Sequence, residues 1–280
     1  MEPYHAVVYF APDVKSAFED LGLPGFWRGY FASRAAPMGP VPAEVVIATF
    51  YNFHPDMVRW AMSETWSRAD PAAVTATRLR LADRTLRAWL GDGTIESPDV
   101  IEAAGLARRA AEAASPLGRP LFAGYTALEW PAEPHLVLWH AATLLREHRG
   151  DGHVSALVNE QVDGCEANVL TAASGASTSE LQRASRQWPD DEWDAALDRL
   201  RGRGWIDDDT SLTPAGASAK RRIEDRTDEL ATPPLVALDN DEQRRLVALF
   251  DQVSRAIVDA GGVTFPNPIG LPDPRKPADS

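Results

Sequence analysis

Apolar residues recur three and four positions apart along most of the chain, the spacing that places side chains on one face of an α-helix. Alanine, leucine, arginine and glutamate, which favour helices, are frequent in the same segments. Strand-like alternation is nearly absent elsewhere than in one short segment near residue 206. The pattern therefore predicts a mainly α-helical fold, with helices at about 13–21, 27–36, 42–50, 55–66, 71–90, 98–114, 134–149, 152–162, 164–174, 179–186, 190–201, 214–230 and 240–260.

Residues 177–224 have the pattern of a winged helix-turn-helix. A first helix at 179–186 is followed by a turn and by a second helix at about 191–201, in the position of a recognition helix. Glycines end this second helix, and the segment 205–213 predicts a small β wing of two strands joined by a polar tip.

Both parts of this motif that would face DNA are acidic. The affinity of proteins for DNA comes largely from lysine and arginine side chains that neutralise phosphates, so carboxylates at these positions would repel a duplex. We therefore expect the scaffold to have lost DNA binding. The acids are Asp190, Asp191, Glu192, Asp194 and Asp198 in the second helix and Asp207, Asp208 and Asp209 in the wing.

A segment rich in proline, glycine and aromatic residues, at 116–133, divides the chain into two helical halves, 1–115 and 134–262. Each half has a similar succession of helix, glycine and helix. We expect a winged helix in the second half and a degenerate one in the first, so that one chain would imitate a dimer. A cleft where such halves meet is a common place for a small ligand. The prolines of residues 263–280 predict a coil tail.

Composition narrows the set of partners. The chain has 280 residues and a net charge of −13, which disfavours nucleic acids, anionic membranes and acidic substrates and suits a neutral or cationic small molecule. The single cysteine, Cys165, excludes an internal disulfide and points to a reducing cytosol. The chain shows neither a signal peptide nor an apolar run of roughly 18–20 residues that could span a membrane. We expect a cytoplasmic monomer or homodimer that binds a small organic molecule.

The string ATFYNFHP at 48–55 combines three aromatic residues, an amide and an imidazole. Pro55 disfavours helical backbone at the preceding residue, so the string is interpreted as a helix end that directs Tyr51 and His54 into a pocket. The alternative is structural: the phenylalanines belong to the core and His54 is a hydrogen-bonded residue at the junction.

The string REHRGDGH at 146–153 consists mostly of ionisable residues. Gly150 is expected to end one helix and Asp151 to cap the next. His148 and His153 could act as general acid and base, because imidazole titrates near neutral pH. Arg149 could hold a carboxylate or an enolate oxygen, with Asp151 as a competing partner.

We expect no cofactor. His140, His148, Asp151 and His153 carry ligand atoms suited to zinc or iron, and one of the histidines could bind a heme, but their spacing matches no compact helical metal-binding pair. The sequence also lacks a glycine-rich phosphate loop, a nucleophile elbow and a cysteine nucleophile pattern.

Aromatic residues could form the walls of a pocket for a flat ligand. Trp130 with Trp139, and Trp27 with Tyr30, are the candidates. The nine tryptophans are dispersed along the chain, and the alternative is that most of them anchor the core.

Three strings resemble those of a poorly characterised actinobacterial helix-turn-helix family described as MarR-like: YFASRAAPMG at 30–39, ATFYNFHP at 48–55 and REHRGDGH at 146–153. The resemblance covers roughly residues 10–260. It implies a mostly helical fold with degenerate winged-helix halves and no established reaction. The residues that it marks are Arg34, Tyr51, His54, His148, Arg149, Asp151 and His153.

The favoured hypothesis is a winged-helix-derived protein that has lost DNA binding and holds a small organic molecule in a cleft between its halves. Such a protein could also catalyse a cofactor-free proton transfer, such as an isomerisation, cyclisation or elimination. His148 or His153 would then be the base, and Arg149 or Arg34 would hold the anion.

The second hypothesis is a ligand-responsive, MarR-like transcriptional regulator that reaches DNA through another surface. Basic residues at 199–203 and 220–222 could supply that surface. The structural alternative is that these runs lie on solvated helix faces or offset neighbouring acids.

Overall fold

The computed structural model describes residues 1–265 and 267, and helices contain most of this part of the chain. The prediction of a mainly α-helical protein is confirmed. Of the predicted coil tail, residues 266 and 268–280 lie outside the described residues. Two short 3-10 helices lie at Ala36–Met38 and Pro233–Ala237. The α-helices are α1 Glu2–Phe10, α2 Val14–Glu19, α3 Phe26–Ala35, α4 Ala43–Phe50, α5 Pro55–Met62, α6 Thr65–Arg68, α7 Pro71–Leu90, α8 Asp92–Ile95, α9 Pro98–Glu112, α10 Pro120–Thr126, α11 Pro134–Asn159, α12 Gly164–Ala173, α13 Ser179–Arg186, α14 Asp190–Gly202, α15 Pro214–Ala231 and α16 Asn240–Asp259.

Local sequence explains where several of these helices begin. The Ser97 hydroxyl accepts a hydrogen bond from the Val100 backbone N–H at 3.3 Å and so caps α9. Asp163 and Glu166 form a reciprocal capping box at the start of α12. These contacts satisfy backbone N–H groups that a helix leaves unpaired in its first turn.

The helix α11 corrects the sequence-based prediction of two helices at 134–149 and 152–162. The backbone is helical without interruption from Pro134 to Asn159, so Gly150 does not end a helix. A glycine inside a helix costs only about 1 kcal/mol relative to alanine. Burial of the neighbouring Glu147, His148 and Asp151 outweighs this local preference.

Chain contacts divide the protein into two compact units. Unit 1 consists of 1–42, 61–151 and 231–264, and unit 2 of 43–60 and 152–230 together with the described residues after 264. These limits are not those of the predicted halves, and the division into halves stays a prediction.

Unit 1 is organised around α7, which packs against α1, α2, α3 and α16. The last helix, α16, also packs against α1 and α9 and buries one apolar stripe. The stripe consists of Leu246, Leu249, Phe250, Val253, Ile257 and Val258. Burial of such side chains contributes about 1.5–3 kcal/mol each to folding.

Unit 2 contains the predicted helix-turn-helix. Its two helices are α13 and α14, and both pack against α12. Gln187 has a left-handed backbone conformation (φ 55°) and ends α13. Trp193 and Leu200 of α14 are buried in the core of the unit together with Val169 of α12. The prediction of these two helices is confirmed.

The predicted β wing is reduced to one antiparallel bridge between Ile206 and Leu212. The Asp207 N–H donates to the Ser211 carbonyl at 3.0 Å. Among residues 1–265 the structure contains no strand longer than this bridge. The loop cannot extend the pairing, because α15 begins directly after Thr213. The wing is therefore a short loop with an exposed acidic tip.

A close approach in unit 2 requires glycine at position 164. A Cβ atom there would collide with the backbone carbonyl of Tyr51, whose own φ is 27°. The Tyr51 hydroxyl donates to the Val162 carbonyl at 2.7 Å. The segment before Pro55 is thus held against the start of α12.

Candidate functional site

Unit 1 contains a cavity of about 420 Å³, within the size range of small-molecule sites. Its walls come from the first 3-10 helix, α7, α10 with the loop after it, and the start of α11. Most of the lining is apolar and includes Ala36, Pro37, Leu79, Leu128, Pro131 and Trp139. The polar lining residues are Thr75, Arg78, Tyr125, Glu129 and His140.

Arg78 is a buried cation in the cavity wall, with 2% of its surface exposed. Its guanidinium carbon lies 5.1 Å from the centre of the Tyr9 ring and 5.3 Å from that of Trp139. Its Nη2 donates to the Tyr9 hydroxyl at 2.9 Å. Its Nε and Nη1 have no hydrogen-bond partner, and no carboxylate of the described residues forms an ion pair with it. A buried charge without a counter-ion is energetically costly.

Two other buried side chains of the same cavity have a polar atom with no hydrogen-bond partner in the part of the chain that the structure describes. These atoms are the hydroxyl of Tyr125 and Nε2 of His140. Burial, with a smaller contribution from the charge of Arg108, lowers the pKa of His140 to about 4, so that its imidazole is neutral at pH 7. Its ring contacts Trp130 edge to face at 4.8 Å. Buried polar groups in native proteins are nearly always hydrogen-bonded, so unpartnered atoms on a cavity indicate a place for a ligand or water.

A buried ionic network lies in the same unit. Arg34 Nη2 donates to both carboxylate oxygens of Glu147, at 3.1 and 3.0 Å, and Arg146 Nη1 donates to the second at 2.7 Å. Arg146 Nε is also 3.5 Å from a carboxylate oxygen of Glu2. Burial alone would raise the pKa of Glu147, but the charges of Arg146 and Arg34 lower it to about 2. Arg34, which the sequence predicted to bind ligand, thus forms a buried ion pair with Glu147.

The predicted catalytic residues His148 and Asp151 lie beside α10. The His148 ring contacts Phe122 at 5.0 Å, and its carbonyl accepts a hydrogen bond from Arg119. Burial, together with the charge of Arg119, lowers the pKa of His148 to about 4.

Asp151 caps a helix, but not the one that the sequence suggested. Its Oδ2 accepts a hydrogen bond from the Phe122 N–H, in the first turn of α10, at 3.0 Å. The residue before α10, Arg119, provides no side-chain cap. Burial raises the pKa of Asp151 from its ordinary value of 3.8 to about 6. The expectation that Asp151 caps a helix starting at 152 is wrong, because α11 continues through it.

The other predicted residues are divided between the units. Trp139 lines the cavity of unit 1, and its Nε1 donates to the His5 carbonyl at 3.1 Å. Arg149 also belongs to unit 1 but not to the lining of this cavity. His153 belongs to unit 2, where its Nδ1 lies 2.9 Å from the Thr227 hydroxyl.

His54, with Tyr51, belongs to unit 2. Its Nε2 lies 3.1 Å from a carboxylate oxygen of Glu192, and its Nδ1 accepts a hydrogen bond from the Asp56 N–H at 3.2 Å. Its ring contacts Trp188 edge to face at 5.1 Å. These contacts fit the alternative interpretation of His54 as a hydrogen-bonded junction residue.

The sequence analysis did not identify Arg78 and Tyr125 as site residues, and it considered His140 only as a metal ligand. One signal for Arg78 is present in the sequence. Val74, Arg78, Leu81 and Thr85 lie on one face of α7, and all four are buried. A charged residue on the apolar face of a helix indicates a special environment. Among the described residues, no group of three or more histidine, cysteine, aspartate or glutamate side chains could hold a metal ion.

The exposed surface of the helix-turn-helix is acidic, as expected. Asp190, Asp191 and Glu192 form the first turn of α14, where carboxylates stabilise the helix N-terminus. Asp190 is also paired with Arg183. The acids therefore have a structural role at the start of α14.

The arginines near this motif are engaged within unit 2. Arg199 contacts Asp163 at 2.6 Å and Glu166 at 2.9 Å. Arg203 donates to the backbone carbonyls at 160 and 161 and lies over the Trp205 ring, 3.5 Å from its centre. Much of the positive charge at 199–203 is thus offset by neighbouring protein groups.

The helix pair α13–α14, in a chain whose described residues are mainly helical, defines a helix-turn-helix protein. The chain belongs to a helix-turn-helix family, since the sequence model of that family matches residues 1–264. No curated protein and no solved structure is significantly similar to it. None of the helices within the described residues has the length and apolar character needed to cross a bilayer.

Proposed function

We propose that this helix-turn-helix protein binds a small organic molecule in the cavity of unit 1 and no longer docks on DNA. One observation carries the proposal. The cavity of about 420 Å³ has mostly apolar walls and three buried polar side chains, Arg78, Tyr125 and His140, with atoms that have no partner. Apolar walls with a few convergent polar groups are typical of ligand sites.

The finer interpretation of the fold is part of this proposal. The lining residues come from positions 36–79 in the first predicted half, from 125–131 in the segment between, and from 139–140 in the second half. Two degenerate winged-helix halves that imitate a dimer would enclose a ligand in this way.

The loss of DNA binding is supported by charge. The exposed face of α14 and the loop tip at 207–209 carry carboxylates. Arg199, Arg201 and Arg203 contact carboxylates or carbonyls of unit 2. A surface of this kind neutralises few phosphates and releases few counterions, so it lacks the main driving force for binding to DNA.

The proposal is one of binding rather than catalysis. None of the predicted catalytic residues His148, Asp151 and His153 lines the cavity. The imidazole that does so, that of His140, has a pKa of about 4 and is a weak base.

A tryptophan at the cavity wall should block binding. Ala76 is an exposed residue of α7 that lines the cavity, so Ala76→Trp should fill space without disturbing the core. Ala73 is exposed on the same helix but outside the lining, and Ala73→Trp is the matched control. With the neutral fluorescent probe N-phenyl-1-naphthylamine, we expect saturable binding to the wild type and to Ala73→Trp. Binding to Ala76→Trp should be at least about tenfold weaker, a loss of about 1.4 kcal/mol.

Equal affinity of the two tryptophan variants for this probe would place its binding elsewhere on the protein. Absence of saturable binding to the wild type would likewise contradict the proposal. Circular dichroism of both variants controls for the fold.

The second candidate, a ligand-responsive MarR-like regulator, is favoured by membership of a helix-turn-helix family. A gel shift with the region upstream of its own gene, at low salt, separates the two candidates. We expect no sequence-dependent retardation up to about 10 µM protein, above the affinity range of typical specific complexes. Sharp retardation that depends on the DNA sequence would support the regulator instead.

A further inference from the structure

We infer that the ligand is an organic anion, an apolar molecule with a carboxylate or an equivalent acidic group placed against Arg78. This inference rests on the proposed function of the unit 1 cavity and names the chemistry of its ligand.

Arg78 differs from the other buried cations of unit 1 in its lack of a paired carboxylate. Arg34 and Arg146 are bonded to the carboxylates of Glu147 and Glu2. Asp151, another buried carboxylate of this unit, accepts a hydrogen bond at the start of α10. No carboxylate of the described residues forms an ion pair with Arg78. An arginine keeps its proton under all ordinary conditions. An anionic ligand would supply the missing counter-charge in an environment where water screens it little.

The cavity wall contains several hydrogen-bond donors. Arg78 Nε and Nη1 can only donate hydrogen bonds, the Tyr125 hydroxyl can donate, and His140 Nε2 can donate in one tautomer. A ligand that contacts such donors is expected to carry a group rich in acceptor oxygens. Carboxylates and related acids are such groups, and hydrogen bonds between charged partners are about twice as strong as neutral ones.

Several contacts hold the Arg78 side chain in place. Its Nη2 is bonded to the Tyr9 hydroxyl at 2.9 Å, and its guanidinium lies over the rings of Tyr9 and Trp139. These contacts stabilise the cation and fix its orientation, whereas its other two nitrogens have no hydrogen-bond partner among the described residues.

Glu129, the one carboxylate that lines the cavity among residues 1–265, does not offset this charge. It is exposed, so water screens it, whereas Arg78 is enclosed. Apart from Glu129, Thr75 and the three polar residues discussed above, the walls are aliphatic or aromatic. They suit a flat hydrocarbon body that would contact the Trp139 ring.

The test compares two probes that differ in one charged group. 1-Anilinonaphthalene-8-sulfonate carries a sulfonate, and N-phenyl-1-naphthylamine has the same ring system without it. We expect the wild type to bind the anionic probe at least about tenfold more tightly. Arg78→Met should weaken binding of the anionic probe by about 10- to 100-fold and that of the neutral probe by less than about threefold.

Tyr125→Phe provides a second variant that does not depend on the folding of the first. It removes a buried hydroxyl that has no partner, so the stability of the ligand-free protein should be unchanged or increased. Its affinity for the anionic probe should fall by about three- to tenfold. A merely structural role of Tyr125 would change stability and leave this affinity unaltered.

The outcomes separate this inference from the proposed function. If Ala76→Trp blocks both probes but the wild type binds them equally, the cavity binds organic molecules and the preference for anions is overturned. Unchanged affinity of Tyr125→Phe and Arg78→Met for the anionic probe would overturn it too. If Ala76→Trp weakens binding of neither probe, the probes do not bind in the cavity, and the proposed function itself is contradicted.

Discussion

Replacement of Glu147 by glutamine should lower the free energy of unfolding by about 3–5 kcal/mol, the range for breaking one side of a buried ion pair. Glu147 is 1% exposed and accepts hydrogen bonds from Arg34 and Arg146. The amide cannot neutralise either guanidinium, so Arg34 would lose the charge of the buried carboxylate to which it is bonded. Urea denaturation of the wild type and of Glu147→Gln at pH 7 measures the difference.

The matched control for this experiment is an exposed ion pair. Glu112 lies 2.8 Å from Arg108 on the surface of α9, and Glu112→Gln should change the free energy of unfolding by less than about 1 kcal/mol. The double variant Arg34→Met with Glu147→Gln should be more stable than Glu147→Gln alone, because it also removes the buried cation that the carboxylate of Glu147 neutralised. Similar small losses for Glu147→Gln and Glu112→Gln would contradict the buried network.

Asp151 should make the protein less stable as the pH rises from 4 to 7. Its pKa is about 6 in the folded protein, against an ordinary value of 3.8. The folded state therefore binds this proton more tightly than the unfolded state. The resulting stabilisation is complete below about pH 3.8 and is lost as the pH rises through about 6, by about 3 kcal/mol in all. Asp151→Asn keeps an acceptor for the Phe122 N–H and removes the titration.

The measurement is the difference in unfolding free energy between the wild type and Asp151→Asn at several pH values from 3.5 to 7. We expect the wild type to lose about 3 kcal/mol relative to the variant over this range. Asp151→Ala measures the capping role of Asp151 separately from its titration. Loss of the cap on α10 should make Asp151→Ala about 1 kcal/mol less stable than Asp151→Asn at every pH. If the difference in unfolding free energy between the wild type and Asp151→Asn does not change with pH, Asp151 is not held in a desolvated site.

Much of the helical fold could be predicted from local pattern. The limits of α7 and α13 follow from apolar periodicity and from the residues at their ends, and both were predicted at these positions. The prediction failed at Gly150, where helix-breaking preference was outweighed by burial of the residues around it. It also missed α1, whose buried residues 4–8 are consecutive and show no helical period.

The composition of the two compact units could not be predicted in this way. The segment 43–60 belongs to unit 2 although residues on both sides of it belong to unit 1. Contacts such as that of the Tyr51 hydroxyl with the Val162 carbonyl join residues far apart in sequence. Such pairings leave no local periodicity.

The candidate site was predicted only in small part. Trp139 was considered as a pocket wall and lines the cavity, but the strings at 48–55 and 146–153, which contain His54, His148 and His153, contribute no residue to the lining. The net charge of −13 favoured a neutral or cationic ligand. That sum includes many exposed carboxylates, whereas the proposed preference for an anion depends on one buried guanidinium. Net charge describes the surface and says little about the charge inside a cavity.

A crystal structure of the protein with 1-anilinonaphthalene-8-sulfonate would test the central claim most directly. The account predicts the naphthalene ring inside the unit 1 cavity, with the sulfonate within about 3.5 Å of an Arg78 nitrogen. A probe bound only at the protein surface, with the cavity unoccupied and the Arg78 side chain unchanged, would contradict it.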